Sequence, residues 1–188
     1  EERYKTISEF LDNDEKFFSK VKLNIYPQGS YRIGTMVKPL SEDEYDLDLV
    51  LQMDIDYKNF NAKKILDYLY ALLNSNGNYK GKLEKKTRCV RINYKNDFHI
   101  DILPACSFRF EGDDLIKIPD RELLSWLDSN PKGYSDWFEK QFIEKRILLE
   151  KAAQIEDIPK QKPYDYLQPL QRAVQLIKRY RDIYFQNK

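Results

Sequence analysis

Apolar and polar positions repeat with two different periods along this chain, and the changes of period mark its elements. Ile7, Phe10, Leu11, Phe17, Phe18 and Val21 recur at helical spacing, which predicts an amphipathic N-terminal helix bent near Asn13 and Asp14. Asn24-Ile25-Tyr26 predicts a short strand, and Tyr31 to Thr35 one helical turn. From Glu44 to Leu51 the period drops to two. Asp46 and Asp48 therefore face one way, and Leu47, Leu49 and Leu51 the other. Asn61 opens a helix with the buried stripe Ile65, Leu66, Leu69, Leu72 and Leu73, which Asn76-Gly77-Asn78 ends. Thr87 to Tyr94 alternates again, with Val90 and Ile92 opposite Cys89 and Arg91. This predicts a hairpin with Phe98 to Leu103 through Lys95-Asn96-Asp97, closed by Pro104.

The C-terminal part begins with a last short strand at Asp113 to Pro119. After Asp120 the pattern turns helical, with Leu123, Leu124, Trp126 and Leu127 leading to a turn at Asn130-Pro131-Lys132-Gly133-Tyr134. Trp137, Phe138, Phe142, Ile143 and Ile147-Leu148-Leu149 predict a further helix, and Pro159 and Pro163 bound a loop. Leu167 to Tyr184 predicts the final helix, with Leu170, Ala173, Val174, Ile177 and Tyr184 on its core face. The expected architecture is α+β: a palm of sheet and helices over 1–120, then a helical lobe over 121–188.

Composition narrows the function. A chain of 188 residues makes one domain, or one domain and part of another. Its 41% hydrophobic and 34% charged residues describe a globular protein with a heavily charged surface. A net charge of +1 argues against a dedicated duplex nucleic-acid binder but leaves room for a local nucleotide site. Cys89 and Cys106 form no pairing or metal pattern, so a reducing, cytoplasmic setting is expected. No apolar run is long enough to cross a bilayer, and no membrane partner is expected.

The candidate chemistry lies on the acidic strand. Two carboxylates side by side repel each other, and a solvated strand edge is the plain reading of a lone pair. Two other stretches change it. Gln28-Gly29-Ser30 is a turn whose backbone N–H groups and hydroxyl suit phosphate oxygens. Asp101 is a carboxylate within an apolar strand, where pairing or a metal would relieve the cost of burial. If the strands are neighbours, three carboxylates converge beside the turn and suit Mg²⁺, with Mn²⁺ as the alternative ion. His99 falls on the same face as Asp101 and reads as a packing or supporting residue. Lys82, Lys85, Lys86 and Arg88 read as a lysine-protected sheet edge before they read as a phosphate patch.

Gly29-Ser30, Asp46-x-Asp48 and the single Asp101 resemble the nucleotidyltransferase superfamily that includes DNA polymerase beta. The fuller wording QGSYRIGT, EYDLDLV and HIDILPA is similar to the bacterial cGAS/DncV-like nucleotidyltransferases, which make cyclic oligonucleotide signals in anti-phage defence. The stretches Asn130 to Tyr134 with Trp137-Phe138, and Leu170 to Arg179, look like that family too. The resemblance implies a Mg²⁺-dependent enzyme that joins NTPs into a cyclic di- or trinucleotide, with an effector downstream of the product. It implies Asp46, Asp48 and Asp101 as catalytic metal ligands, Gln28, Gly29 and Ser30 as triphosphate binders, and Lys178 as a phosphate-binding lysine. It also implies further helices after Lys188. The rival enzyme adds nucleotides to an RNA or protein acceptor, and the rival of another class is a non-catalytic nucleotide-binding module.

Overall fold

A computed structural model describes residues 2–14, 16–40, 45–94, 98–107, 114–141 and 166–186. The predicted connections at Glu44 and at Lys95 to Asp97, the helix continuing through Phe142, and the loop at Pro159 to Pro163 lie outside the described residues. Helix α1 spans Glu2–Asp12, and strand β1 (Leu23–Pro27) leads into a one-turn helix α2 (Gly29–Arg32). Strand β2 (Tyr45–Met53) carries the acidic motif, and helix α3 (Ala62–Ser75) crosses to β3 (Leu83–Lys85), β4 (Val90–Tyr94) and β5 (Phe98–Ser107). Strands β6 (Ile116–Asp120) and β7 (Ser125–Ser129), then helices α4 (Pro131–Lys140) and α5 (Pro169–Gln186), complete the order.

The strands form one seven-stranded mixed sheet in the order β1-β2-β5-β4-β3, with β6 on the far end of β5 and β7 beside β6. Only β2 and β5 are parallel among these pairs, because α3 and the β3-β4 hairpin carry the chain back before β5 starts. One face of the sheet holds the main core. Leu49, Leu51, Ile100, Ile102, Val90 and Ile92 pack there against Ile7 and Leu11 of α1 and Leu69 and Leu73 of α3. The alternation of each strand sends the acidic side chains to the other face. There Tyr26, Val50, Leu103, Ala105, Ile116 and Ile118 form a smaller apolar cluster.

The bend near Asn13 and Asp14 has a physical cause. The buried Asp14 carboxylate accepts from the Phe17 and Phe18 amides at 2.9 and 2.8 Å and from the Tyr68 hydroxyl at 2.8 Å, ending α1 and tying its exit to α3. Helix α3 starts where expected, with Asn61 accepting from the Lys64 amide at 3.1 Å.

Four expectations change. Pro104 does not close β5, which runs on to Ser107. On one side it falls in the gap between Ile102, the last residue paired to β4, and Cys106, the first paired to β6, and on the other it stands opposite Leu51 of β2. The stretch after Asp120 is a hairpin rather than a helix. Asp120 accepts from the Glu122 and Leu123 amides and from Arg88, Leu124 takes φ 52°, and β7 extends the sheet to Ser129. Helix α4 starts at Pro131, because Asn130 accepts from the Gly133 amide at 2.7 Å and proline suits the first helical position. The final helix is rotated from the expected face: Leu170 and Val174 are half-buried, but Ala173, Ile177 and Tyr184 are exposed. Its Ile177 is 69% exposed and Tyr180 71%, while Gln171, Gln175 and Lys178 meet the rest of the chain.

Candidate active site

Parallel pairing of β2 and β5 sets Asp46 opposite His99 and Asp48 opposite Asp101. Same-facing residues in register then bring the three carboxylates together: one oxygen of each of Asp46, Asp48 and Asp101 lies within 4.8 Å of the others. The negative charge of the cluster is only partly relieved by its neighbours. Burial first, then Asp46 and Asp101, pushes the Asp48 carboxyl up to about 7. Asp46 is raised as well, by burial and then by Asp101, against the pull of His99 and Arg91. An all-oxygen donor set with charge to spare is what a hard divalent cation requires, so Mg²⁺ fits these residues.

The glycine–serine turn is built onto Asp48 itself. The Gln28 amide donates to the Asp48 carbonyl at 2.9 Å. Gly29 has φ +63°, and a Cβ there would stand 2.5 Å from Asp48 Oδ2. Only glycine allows this approach, and it places the exposed Gly29 and half-buried Ser30 at the edge of the acidic cluster. The next residues close the turn, with the Ile33 amide on the Gly29 carbonyl and the Thr35 amide on the Ser30 carbonyl.

Two neighbours of the carboxylates differ from expectation. His99 Nε2 lies 3.0 Å from Asp46 Oδ1, so the histidine supports Asp46. Asp101 is held by Arg91, whose Nε donates to Oδ1 at 2.7 Å and whose second guanidinium nitrogen donates to Oδ2 at 2.8 Å. Reading the sequence missed Arg91 as a site residue. Its signal was present, since it shares a face with Cys89 in the predicted hairpin and stands directly opposite Asp101 in the register. Cys89 faces the same carboxylate. Burial and the nearby Asp101 push its thiol well above the ordinary range, which suits a packing residue and not a nucleophile.

Lys178 of α5 reaches the segment just after the glycine–serine turn. Its Nζ donates to the Thr35 carbonyl at 3.0 Å, and burial lowers its pKa. The basic cluster stays apart. Lys85 pairs with Asp67 at 3.0 Å, Lys86 with Glu84 at 2.6 Å and Arg88 with Asp120 at 2.9 Å, which suits a protected sheet edge.

Solved structures that align with this architecture include bacterial CD-NTases and cyclic dinucleotide synthases. The CD-NTase CdnG of Bradyrhizobium diazoefficiens, solved in complex with GTP, aligns at TM-score 0.72 and 27% identity over 98% of this chain and 58% of that one. The Vibrio cholerae DncV cyclic AMP-GMP synthase, a prokaryotic cGAS homolog, shares the fold at TM-score 0.55 and 24% identity over 74% of this chain and 40% of that one. The fold is therefore that of the polymerase-beta-like nucleotidyltransferases. Residues 1–141 match the family described as the Second Messenger Oligonucleotide or Dinucleotide Synthetase domain, and the chain belongs to it. A c-di-GMP synthase of Roseivirga ehrenbergii is 42% identical over 97% of this chain and 48% of its own length. The chain spans about half the length of the curated relatives it matches. Among the described residues no helix is long and apolar enough to cross a membrane.

Proposed function

We propose that this chain is the catalytic palm, with the start of the helical lobe, of an enzyme that joins two NTPs into a cyclic dinucleotide and releases pyrophosphate. The observation that carries the reading is the meeting of Asp46, Asp48 and Asp101 beside Gly29, whose Cα side is open only because no Cβ stands against Asp48. The relatives named c-di-GMP synthase and cyclic dinucleotide synthase, and the GTP-bound structure, favour GTP among the substrates. Anti-phage signalling through an effector that binds the product is the biological setting we propose.

In this reading Gln28, Gly29 and Ser30 hold the terminal phosphates through backbone N–H groups and the serine hydroxyl. Lys178 adds positive charge behind the turn. Asp46, Asp48 and Asp101 would hold Mg²⁺, which when bound neutralises triphosphate charge and lowers the pKa of the attacking ribose hydroxyl. Asp101, fixed by the Arg91 fork, takes the ribose proton as the new oxygen–phosphorus bond forms on the α-phosphorus and the bond to pyrophosphate breaks. Catalysis is then mostly positioning and charge neutralisation.

The test is incubation of the protein carrying this chain with the four NTPs and Mg²⁺, followed by mass spectrometry of phosphatase-resistant products. A cyclic dinucleotide that disappears in Asp48→Asn is expected. Labelling that depends on an added RNA or protein acceptor would replace this reading with the acceptor-modifying one. Nucleotide binding without any product would leave a binding module.

A further inference from the structure

Four polar side chains of helix α5 meet the segment after the glycine–serine turn, and each of them donates to a backbone carbonyl. Gln171 Nε2 donates to Ile33 at 2.8 Å, Lys178 Nζ to Thr35 at 3.0 Å and Gln175 Nε2 to Met36 at 3.0 Å, while Arg179 donates to Lys38. Positions 171, 175, 178 and 179 form one stripe of a helix.

The same residues use their amides in the other direction. Ile33, Gly34 and Thr35 donate to the carbonyls of Gly29, Tyr31 and Ser30. Each residue from Ile33 to Thr35 therefore bonds to α2 through its amide, and Ile33 and Thr35 bond to α5 through their carbonyls. The backbone path there favours glycine. Gly34 has φ +67°, and a Cβ there would stand 2.5 Å from Gln171 Nε2. Thr35 is fully buried beneath the contact.

We infer that Gln171 and Gln175 are positioning residues for the nucleotide: they clamp the carbonyls of Ile33 and Met36, so the position of α5 sets the position of the phosphate-binding turn. The inference rests on the triphosphate reading of Gly29 and Ser30. A buried carbonyl that loses its donor must find water or move. The segment that moves is bonded directly to the turn, so loss of the clamp loosens the phosphate site while the sheet core remains intact.

The clamp is tested in the 188-residue chain without nucleotide by amide hydrogen exchange. Gln171→Met with Gln175→Met keeps side-chain length and removes both donors. Exchange at Ile33, Gly34 and Thr35 should accelerate about tenfold, with the melting temperature and the exchange of Leu69 and Ile102 little changed. Gln171 also accepts from the Gln168 amide at 2.9 Å, at the start of α5. Gln171→Glu keeps that acceptor but turns the donor into a charged oxygen that repels the Ile33 carbonyl, so acceleration at Ile33 and Gly34 should be at least as large. Unchanged exchange in the double variant, or no acceleration in Gln171→Glu, overturns the clamp.

Nucleotide affinity is then titrated by calorimetry with a non-hydrolysable GTP analogue and Mg²⁺. The double methionine variant should bind about tenfold more weakly, and Arg181→Met, on the same helix but away from the clamp, should bind as the parent does. Faster exchange with unchanged affinity would overturn the positioning role. A parent chain that does not bind the analogue would reject the proposed function, while the exchange data would still decide the clamp.

Discussion

Arg91 grips Asp101 with two parallel hydrogen bonds of 2.7 and 2.8 Å, from directly across the β4-β5 pair. A guanidinium fork sets both the distance and the plane of a carboxylate, which a single ammonium cannot do. Asp101 is the one carboxylate of the three contributed by β5, so its alignment with Asp46 and Asp48 depends on that grip.

Arg91→Ala should therefore lower the rate of product formation on the order of a hundredfold, with little change in the KM for NTP. Arg91→Lys should recover only a minor part of the loss. Steady-state kinetics of the three proteins check this. Equal rates for Arg91→Lys and the parent would show that charge alone, and not the fork, is what Asp101 needs.

The raised Asp48 carboxyl makes stability depend on pH. Its value is 3.8 in an ordinary setting and about 7 here, so between these values the folded chain keeps a proton that the unfolded chain has lost. The unfolded state then binds fewer protons, and stability falls as pH rises through that window. The contribution is complete below the lower value and gone above the upper one. Asp14, Asp67 and Asp120 are lowered instead, so their contributions are lost on the acid side, below the ordinary carboxylate range. Without divalent cations the melting temperature should drop from about pH 5 to about pH 8, and Asp48→Asn should flatten the drop. Added Mg²⁺ should raise it more at the higher pH, because the ionised trio is the form that binds. Equal Mg²⁺ increments at both pH values would count against these carboxylates as the metal ligands.

Gly29→Ala should damage the site and the fold together. The alanine would pay about 1–2 kcal/mol for a left-handed backbone, and its Cβ would press on Asp48 Oδ2. Denaturant titration should show a loss at least that large, and nucleotide affinity should fall with it. Native affinity in this variant would show that the close approach of the turn to Asp48 is dispensable.

The rotated face of α5 separates core from surface. Leu69→Ala, within the main core, should cost about 2–5 kcal/mol. Ile177→Ser and Tyr180→Ser, on the exposed face, should change the stability of this chain by about 0.5 kcal/mol or less. Urea titrations of the three variants check the contrast. A loss of core size in Ile177→Ser would restore the apolar face as the packed one.

Much of the site was legible before any coordinates. The two-residue period around Asp46 and Asp48, and Asp101 standing alone among apolar neighbours, located the acidic strands by local rules of alternation. The Gly29-Ser30 turn was legible as a common turn whose N–H groups and hydroxyl suit phosphate, but its close approach to Asp48 was not. The hairpin after Asp120 was not legible. Leu123, Leu124, Trp126 and Leu127 satisfy a helical pattern, and the decisive bonds come from Asp120 to its own turn and to Arg88, 32 residues earlier. The same limit hid the partners of His99, since facing Asp101 along a strand says nothing about Asp46 on the next one.

The amino-acid order alone determined which residues could share a face, because strand and helix periods are local and short. It thereby determined that Asp46 and Asp48 share a face, that Asp101 stands on a second apolar strand and that a glycine turn precedes them. Tertiary structure decided the rest: that β2 and β5 run side by side in parallel, that Arg91 takes Asp101 and His99 takes Asp46, and that α5 docks by its glutamines and Lys178. Those choices follow from buried carbonyls and charges that must find partners across the chain, and a pattern of apolar positions does not encode them.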